Sequence, residues 1–521
     1  MALWPFKRAA RMESAGYQQG NPALTRRRKL ARSMSTMFQS ALFNKNDKWT
    51  AIPRSPDEII TLRQSSLVAR SREQWSNNDY VRAYIRLVRS NIVGSQGIKI
   101  RPQVKKPRGK LDTEANAAIA AAFGEWAKVG NCEVTGKQSW RSMTALCAAT
   151  AARDGEFIIR KIYGADAGPF GFALQVIDPQ RMLVMYEAER MTNNGGFIRQ
   201  GIEFNKYGRP IAYHFTSTDE SDDYWYSLNG RGFVRIPADE IIHGFVQEMV
   251  GQRRGLPWTS ASLERLHHLA GFETASVQNA RATASKMGFI QYKEGFGPEA
   301  DEDYDVAGNI DAEPLSFHEL PEGAELAKWE PQYPAGEFNI FMKAMLRGAS
   351  AGFGILYNNL TGDLENVNFS SIRHGSLEER EQWKELQQWL IETLVMPVYE
   401  AWLKHALLQG QITNKQGVPY GAARVRDFKA VAWQGKRWTW IDPQSDVTAA
   451  LESIRGGLTS ISQVIREQGR DPGDVFKEIA DDLKQLKEAG VPDNYIELFM
   501  NGQPTPPPPV PPTPEEQDDD K

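Results

Sequence analysis

The stretch from Glu337 to Gly410 limits what this chain can fold into more than any other. It reads as a helix, a polar loop and a second, much longer helix. In the first arm, Glu337–Gly352, Phe338, Phe341, Met342 and Met345 recur at helical spacing. The loop, Phe353 to about Asn368, carries Asn358, Asn359, Gly362, Asp363, Asn366 and Asn368. Glycine permits positive φ and asparagine bonds its own backbone, so these residues favour turns. The second arm starts at Ser370 or, by a capping-box signal from Ser376 and Glu379, at Ser376. Its apolar stripe is Trp383, Leu386, Leu390, Leu394, Val398 and Trp402, widened by Ile391, Val395, Tyr399 and Leu403. Pro397 lacks a backbone donor and predicts a kink. From Leu377 to Met396 alone such a helix rises ~30 Å. A long kinked helix facing a polar loop suits an assembly more than a compact enzyme.

A chain of 521 residues can bury several cores, so two to four structural regions are expected. No run of about 18 apolar residues occurs, and the start lacks the apolar stretch of a signal peptide. Cys132 and Cys147 are the only cysteines, which fits a reducing compartment and free thiols. The net charge of −3 conceals strong patterning. Residues 1–50 carry ten Lys/Arg against Glu13 and Asp47, a net +8, whereas residues 291–330 reach −10. Fields this uneven suggest different partners for the two segments.

The basic start, with Arg26-Arg27-Arg28-Lys29, reads as a flexible arm that could meet nucleic acid, a scaffold or a shell protein. A helix is expected from about Ser55, with Ile59, Ile60, Leu62 and Leu67 as its apolar positions. Asn77-Asn78-Asp79 then caps a helix over Tyr80–Asn91. There Arg82, Arg86 and Arg89 share one face, which could contact phosphates, a neighbouring subunit's acids or solvent. Helices are expected at Leu111–Trp126 and Ser139–Arg153. Short strands follow at Phe157–Tyr163, Ala173–Ile177, Ile202–Phe204, Ile211–Phe215, Phe233–Ile236 and Ile241–Phe245. A helix at about Ser260–Lys286 would span ~40 Å. Weak strand signals flank the acidic segment at Phe289–Tyr292 and Ala324–Trp329. Beyond the long helix, strands are expected in Val418–Val431 and Trp433–Trp440, then helices at Pro443–Gln468 and Asp474–Glu488. The end is proline-rich and then acidic, a composition that favours disorder.

Catalytic patterns are sparse. Gly348-Ala349-Ser350-Ala351-Gly352 matches G-x-S-x-G, but that elbow needs a strand before the serine, and here a helix is predicted. Small residues packed in a helix account for it better. Gly136-Lys137 is followed by Gln138, so no phosphate loop is formed. His267 and His268 are adjacent and point about 100° apart on a helix, so they cannot form one ligand face. No metal, cofactor or catalytic site is expected.

The order of features resembles the portal proteins of tailed bacteriophages, within them the lambda-like group. The matching pieces begin with Asn77-Asn78-Asp79-Tyr80 and Ile92-Val93-Gly94-Ser95. Asp154-Gly155-Glu156-Phe157, Val176-Ile177-Asp178-Pro179-Gln180-Arg181 and Gly251-Gln252-Arg253-Arg254-Gly255 follow. Ala351-Gly352-Phe353-Gly354, Asn368-Phe369-Ser370-Ser371-Ile372-Arg373, Ile441-Asp442-Pro443 and Gly457-Leu458-Thr459 complete the series. Their collinear order over roughly 55–490 is the specific signal.

The resemblance implies an α+β portal fold. After a basic arm at 1–50 would come an α+β wing over 51–259, a stem helix at 260–287 and a small acidic α/β clip at 288–335. A second stem helix at 336–352, a tunnel loop at 353–369 and a long kinked spine helix with wing strands over 370–440 would follow. A helical crown would occupy 441–495, and 496–521 would be tail. It also implies a homo-oligomeric ring of twelve subunits at one capsid vertex of the virion, assembled in the host cytoplasm. That ring would contact double-stranded DNA without sequence preference. Its other partners would be the terminase large subunit, head–tail connector proteins and the major capsid or scaffold protein. No membrane is involved.

Asn339, Lys343 and Arg347 lie at i, i+4 and i+8 on the second stem helix and are expected to face the DNA channel, with the loop residues Asn358, Asn359, Asp363, Glu365, Asn366 and Asn368. The loop holds acids and no Lys or Arg, which predicts a valve more than a clamp. Asp301, Glu302, Asp303 and Asp305 are candidates for docking the packaging motor. Two other functions stand beside this one: a serine hydrolase using Ser350, and a soluble DNA-binding protein using the basic arm.

Overall fold

The computed structural model describes residues 52–107, 109–191, 196–217, 233–284, 288–292, 324–328, 338–365, 367–438 and 443–492. The chain divides into two units at Ser55, and every element below lies in the second, Pro56–Lys521. The fold is mixed α and β with antiparallel sheets. Helix α1, Pro56–Asn77, buries Ile60, Gln64, Val68, Ser71 and Gln74. Its packed face is therefore largely polar, and Leu62, expected inside, is exposed. Asn78 caps α2, Asp79–Val88, accepting from the backbone N–H groups of Tyr80 and Val81. A π-helical turn, Arg89–Val93, follows. Strand β1, Lys99–Pro102, precedes α3, Thr113–Trp126, and α4, Trp140–Asp154.

Strand β2, Glu156–Tyr163, pairs antiparallel with β3, Phe172–Ile177. Successive side chains of a strand point to opposite faces. Phe157 and Ile159 thus enter the main core, with Trp126, Phe172 and the long C-terminal helices. Ile158 enters a smaller core with Ile177, Phe204 and Phe215. A five-stranded antiparallel sheet lies against that smaller core: β4 (Ala188–Met191), β5 (Gly196–Arg199), β6 (Ile202–Phe204), β7 (Pro210–Phe215) and β8 (Val234–Pro237). β9, Ile241–Phe245, returns to the other edge of β2. Strands β4 and β5 were not expected from the sequence. Four-residue strands of mixed polarity carry no periodic signal, and the turn expected at Asn193–Gly196 lies largely outside the described residues.

The two sheets and α1 meet at a buried ionic hub. Arg254 is 2% exposed; its guanidinium donates to Glu156, 2.6–3.0 Å away, and to the carbonyls of Pro179, Met182 and Gln200. His243 Nε2 lies 2.9 Å from Glu156 Oε2, Gln64 Nε2 donates to Oε1, and the backbone N–H of Gly255 donates to Oε2. Burial alone would raise the Glu156 carboxyl. The charges and hydrogen bonds of Arg254 and His243 overcome it and bring it to about 2. Gly155 and Gly255 allow the close approach: a Cβ on Gly255 would fall 2.0 Å from the Gly155 carbonyl oxygen.

Helix α5, Leu263–Ala284, runs beside α6, Phe338–Phe353. Between them β10 (Gly288–Tyr292) and β11 (Ala324–Lys328) form an antiparallel pair. A short helix α7, Tyr357–Thr361, leads to α8, Phe369–Leu390. A π-helical turn, Ile391–Val395, joins α8 to α9, Met396–Leu408. The expected Pro397 kink thus takes the form of a widened turn just before the proline. Trp383, Leu390, Leu394, Val398 and Trp402 are buried as the apolar stripe requires. The Val418–Val431 strand is overturned: a short helix α10, Val425–Phe428, occupies it, and among the described residues of this region the one named strand is β12, Val431–Gln434, paired with β1. The expected Pro443–Gln468 helix breaks into α11, Pro443–Arg455, and α12, Ile461–Glu467, where Gly457 takes φ 70° and Ser460 caps the second piece. α13 spans Pro472–Glu488. No described helix is long and apolar enough to cross a membrane.

Candidate functional site

Helix α6 holds its place through small residues. Gly348 and Gly352, one turn apart, face α5: a Cβ at Gly352 would fall 2.2 Å from Ser262 Oγ, and one at Gly348 2.4 Å from an Arg265 guanidinium nitrogen. Ser262 Oγ donates to the Ala349 carbonyl at 2.9 Å. Further along, Phe272 of α5 packs on Phe338 and Phe341, with ring centroids 5.5 and 4.8 Å apart. Ser350 is 2% exposed and its hydroxyl donates to the Leu346 carbonyl, so it sits in a helix and not on a strand–turn elbow. The G-x-S-x-G pattern is helix packing. Burial also keeps both thiols protonated, pushing Cys132 up to about 12 and Cys147 higher still.

Beyond Phe353, which stacks on Tyr84 at 4.3 Å, the chain turns at Gly354. A side chain there would meet Gln382, 2.3 Å from a Cβ, and φ is +67°. Glu379 then tethers the loop to α8. Its Oε2 accepts from the backbone N–H of Leu356 and from Asn359 Nδ2, and its Oε1 from Trp383. The expected capping box at Ser376 is therefore wrong. Asn368 caps the helix, accepting from Ser370 N at 3.1 Å, and Glu379 is a buried anchor three turns inside it.

The loop is a short helix closed by Gly362 in the left-handed region, whose N–H donates to the Asn358 carbonyl. That turn aims Asp363 back at α6. Lys343 Nζ lies 3.1 Å from Asp363 Oδ2 and 3.7 Å from Glu365 Oε2. Tyr357 donates its hydroxyl to the same Oδ2 at 2.8 Å, and Glu365 N–H donates to Oδ1 at 2.9 Å. Asn358 Nδ2 donates to the Asp363 carbonyl at 2.6 Å. These contacts shift both partners. The Glu365 N–H, the Tyr357 hydroxyl and Lys343 hold the Asp363 carboxyl below its usual range, and the hydrogen bond to Asp363 raises Lys343. Arg347, one turn on, lies over the Tyr357 ring at 5.7 Å. Tyr80, Met342 and Leu346 line the inner side of this latch, around a cavity of about 420 Å³.

The residues expected to line a channel thus divide. Asn339 and Arg347 are exposed on the α6 stripe, and Lys343 is half-buried in the latch. Asn358 and Asp363 join it from the loop, with Glu365 at the rim. Asn359 is drawn off to Glu379 and Asn368 to the cap of α8. Asn366, the basic arm and Asp301, Glu302, Asp303 and Asp305 lie outside the described residues. Sequence reading placed Lys343 and the two acids in separate features. It missed that two loop acids answer the one lysine of α6 and leave Arg347 beside them, so the face is close to charge-balanced. The signal was available in the left-handed turn that Gly362 imposes just before Asp363.

Over residues 44–387 the chain matches the family described as phage portal protein, lambda family. It is 34% identical over 501 residues to the probable portal protein of Halomonas phage phiHAP-1, covering 94% of each chain. It is 21% identical over 484 residues to portal protein B of Escherichia phage lambda, covering 85% of this chain and 88% of that one. Among solved structures, the neck of an empty gene transfer agent particle matches at 14% identity with a TM-score of 0.40, covering 78% of this chain and 94% of that one. This chain belongs to the lambda family of phage portal proteins.

Proposed function

We propose that the exposed side of α6 and the latch at its foot line the DNA passage of the ring that this portal protein forms at one capsid vertex. The family is structural, and the ring serves genome packaging and ejection. The observation that carries the channel reading is the pairing of Lys343 with Asp363 and Glu365 beside the exposed Asn339 and Arg347. A duplex that must slide past a wall is held back by strong phosphate contacts and by strong repulsion alike. A face whose lysine is matched by carboxylates offers neither, while Arg347 and the asparagines supply weak, sequence-independent contacts. The loop's acids, which taken alone imply a repulsive valve, then act as counter-charges that keep the stem lysine from gripping.

Converting Asp363 to Asn and Glu365 to Gln frees Lys343 for phosphate. Particles carrying both changes should package more slowly and hold DNA more firmly against ejection, with rings assembling as before. Unchanged packaging rate and unchanged retention would count against the channel reading, as would a ring reconstruction with Lys343 and Arg347 in subunit interfaces.

The remaining partners follow from the same reading. The ring number is twelve and assembly takes place in the host cytoplasm. The acidic segment around Asp301, Glu302, Asp303 and Asp305 docks the terminase large subunit and then the connector proteins, while the basic arm meets nucleic acid, scaffold or a shell protein. Reversing those four acids should weaken terminase binding most at low salt, where surface charge is least screened.

A further inference from the structure

Helices α2 and α8 each carry an exposed charged stripe, and the two stripes match. On α2 and the first residue of the π-helical turn that continues it, Arg82, Arg86 and Arg89 are all exposed at intervals of four and then three residues. The Arg82 guanidinium lies over the Trp75 ring, 5.7 Å from its centroid, but no carboxylate pairs with any of the three among the described residues. On α8, Glu378, Glu381 and Glu385 are exposed at intervals of three and then four. Read in the opposite direction, the glutamates have the spacing of the arginines, and each stripe is ~10 Å long. Two antiparallel helices therefore set Arg82 against Glu385, Arg86 against Glu381 and Arg89 against Glu378. The present partners of the acids are local and exposed: His374 lies 3.4 Å from Glu378, and Lys384 lies 2.5 Å from Glu381. With 73% and 72% of those carboxylate side chains open to solvent, both remain accessible to a second cation.

The two stripes cannot meet within one chain. The packed face of α8 carries Trp383, Gln387 and Leu390, and Gln387 Nε2 donates to the Asn91 carbonyl in the turn that ends α2. Glu385 lies two residues from both Trp383 and Gln387, so it projects from the opposite side of α8, turned ~160° away. The α2 segment sits on one side of α8 and the glutamates on the other. One surface of the chain complements another, which is the condition for a head-to-tail contact that closes into a ring.

We propose that the arginine stripe of α2 docks, antiparallel, on the glutamate stripe of α8 of a second copy of this chain, and that this charge contact sets the register between neighbouring subunits. The proposal rests on the ring reading and adds the surface that orders the subunits. Exposed charge pairs steer encounter and penalise wrong registers more than they bind, so apolar contacts elsewhere supply the rest.

The full-length chain tests this by sedimentation velocity and negative-stain microscopy. The wild type should form rings whose fraction falls as salt rises from low values to about 0.15 M and beyond. Arg82, Arg86 and Arg89→Glu in one variant, and Glu378, Glu381 and Glu385→Arg in another, should each lower the ring fraction about tenfold or more by opposing like charges. Mixing the two variants should restore rings, because each then offers the other a complementary face on both sides. Circular dichroism and thermal midpoints should match the wild type, since all six positions are exposed. Should a triple variant fail to fold, the single pair Arg86→Glu and Glu381→Arg repeats the test. Rings from either variant alone at wild-type yield, or folded variants that mixing does not restore, overturn the pairing and leave the ring reading intact. A wild type that forms no ring at any salt overturns that reading and the pairing with it.

Discussion

The chain holds two ionic clusters with opposite physical character. In the hub, Glu156 and Arg254 are 1% and 2% exposed and every side of both is hydrogen-bonded. In the latch, Lys343 and Asp363 keep 26% and 20% of their surface and Glu365 keeps 75%. Water competes for each latch contact and for none in the hub. A buried pair is dangerous to break, because the survivor is left charged with no solvent. An exposed pair can open and close at little cost. The difference fits their places: the hub ties two sheets to α1 inside the fold, and the latch joins a loop to an exposed helix face.

The sharpest way to break the contrast is Arg254→Ala. It strands Glu156 and three carbonyls, so we expect a loss of about 3–5 kcal/mol of stability, read as an early unfolding transition in calorimetry. Pairing Glu156→Gln with Arg254→Met should cost less than the two single changes added, because neither then leaves a lone charge. Gly155→Ala comes next. At φ 93° the new Cβ would lie 2.5 Å from the Leu256 carbonyl carbon, so the Asp154–Phe157 segment must shift away from Gly255. We expect a loss of ~2–4 kcal/mol, with the far-UV spectrum retained below the transition.

The hub also shows how much the sequence disclosed. Asp154-Gly155-Glu156-Phe157 and Gly251–Gly255 were legible as separate motifs almost a hundred residues apart. That they form one object, with Glu156 in the fork of Arg254 and the two glycines in backbone contact, is a tertiary fact with no local periodicity to announce it. Helices with caps were read well: Asn78 and Ser139 both start helices as expected, since a cap and an apolar period act locally. α1 was found although its buried face was misjudged, because Gln64 and Ser71 are turned inward by partners, Glu156 and Thr259, that lie far along the chain. At the candidate site the spacing of Asn339 and Arg347 rightly put them together on an exposed face of α6. The latch was not legible, because its partner choice depends on the turn at Gly362.

Acid separates the clusters by stability. The Glu156 carboxyl is held at about 2 against an ordinary 4.5, so its contribution is complete above the ordinary value and drains away as pH falls toward the lower one. We expect roughly 3 kcal/mol to be lost between about pH 5 and pH 2, seen as a falling unfolding midpoint. Glu156→Gln should flatten that dependence. A profile unchanged by the substitution would place the acid sensitivity elsewhere.

The latch answers to pH in the same direction with a different readout. Asp363 is held below its usual range, so its pairing is complete above that range and fades as pH falls through the lowered value. Lys343 is raised, so its share is complete below the usual lysine range and fades only as pH climbs through the raised value. Between those limits the latch is closed, and opening it should leave the unfolding midpoint where it was. The change belongs in local motion. The Glu365 N–H is held by Asp363 Oδ1 and the Asp363 N–H by Thr361 Oγ1, so exchange of these two amides with solvent reports the latch directly. Lys343→Gln should speed their exchange ~3–10-fold and leave the buried amides of β2 untouched, because local openings draw on local contacts. Arg254→Ala should do the reverse, loosening β2 through the sheets it anchors while the loop exchanges as before. If each substitution loosened both regions equally, the two clusters would be one cooperative unit and the division of labour drawn from their burial would be wrong.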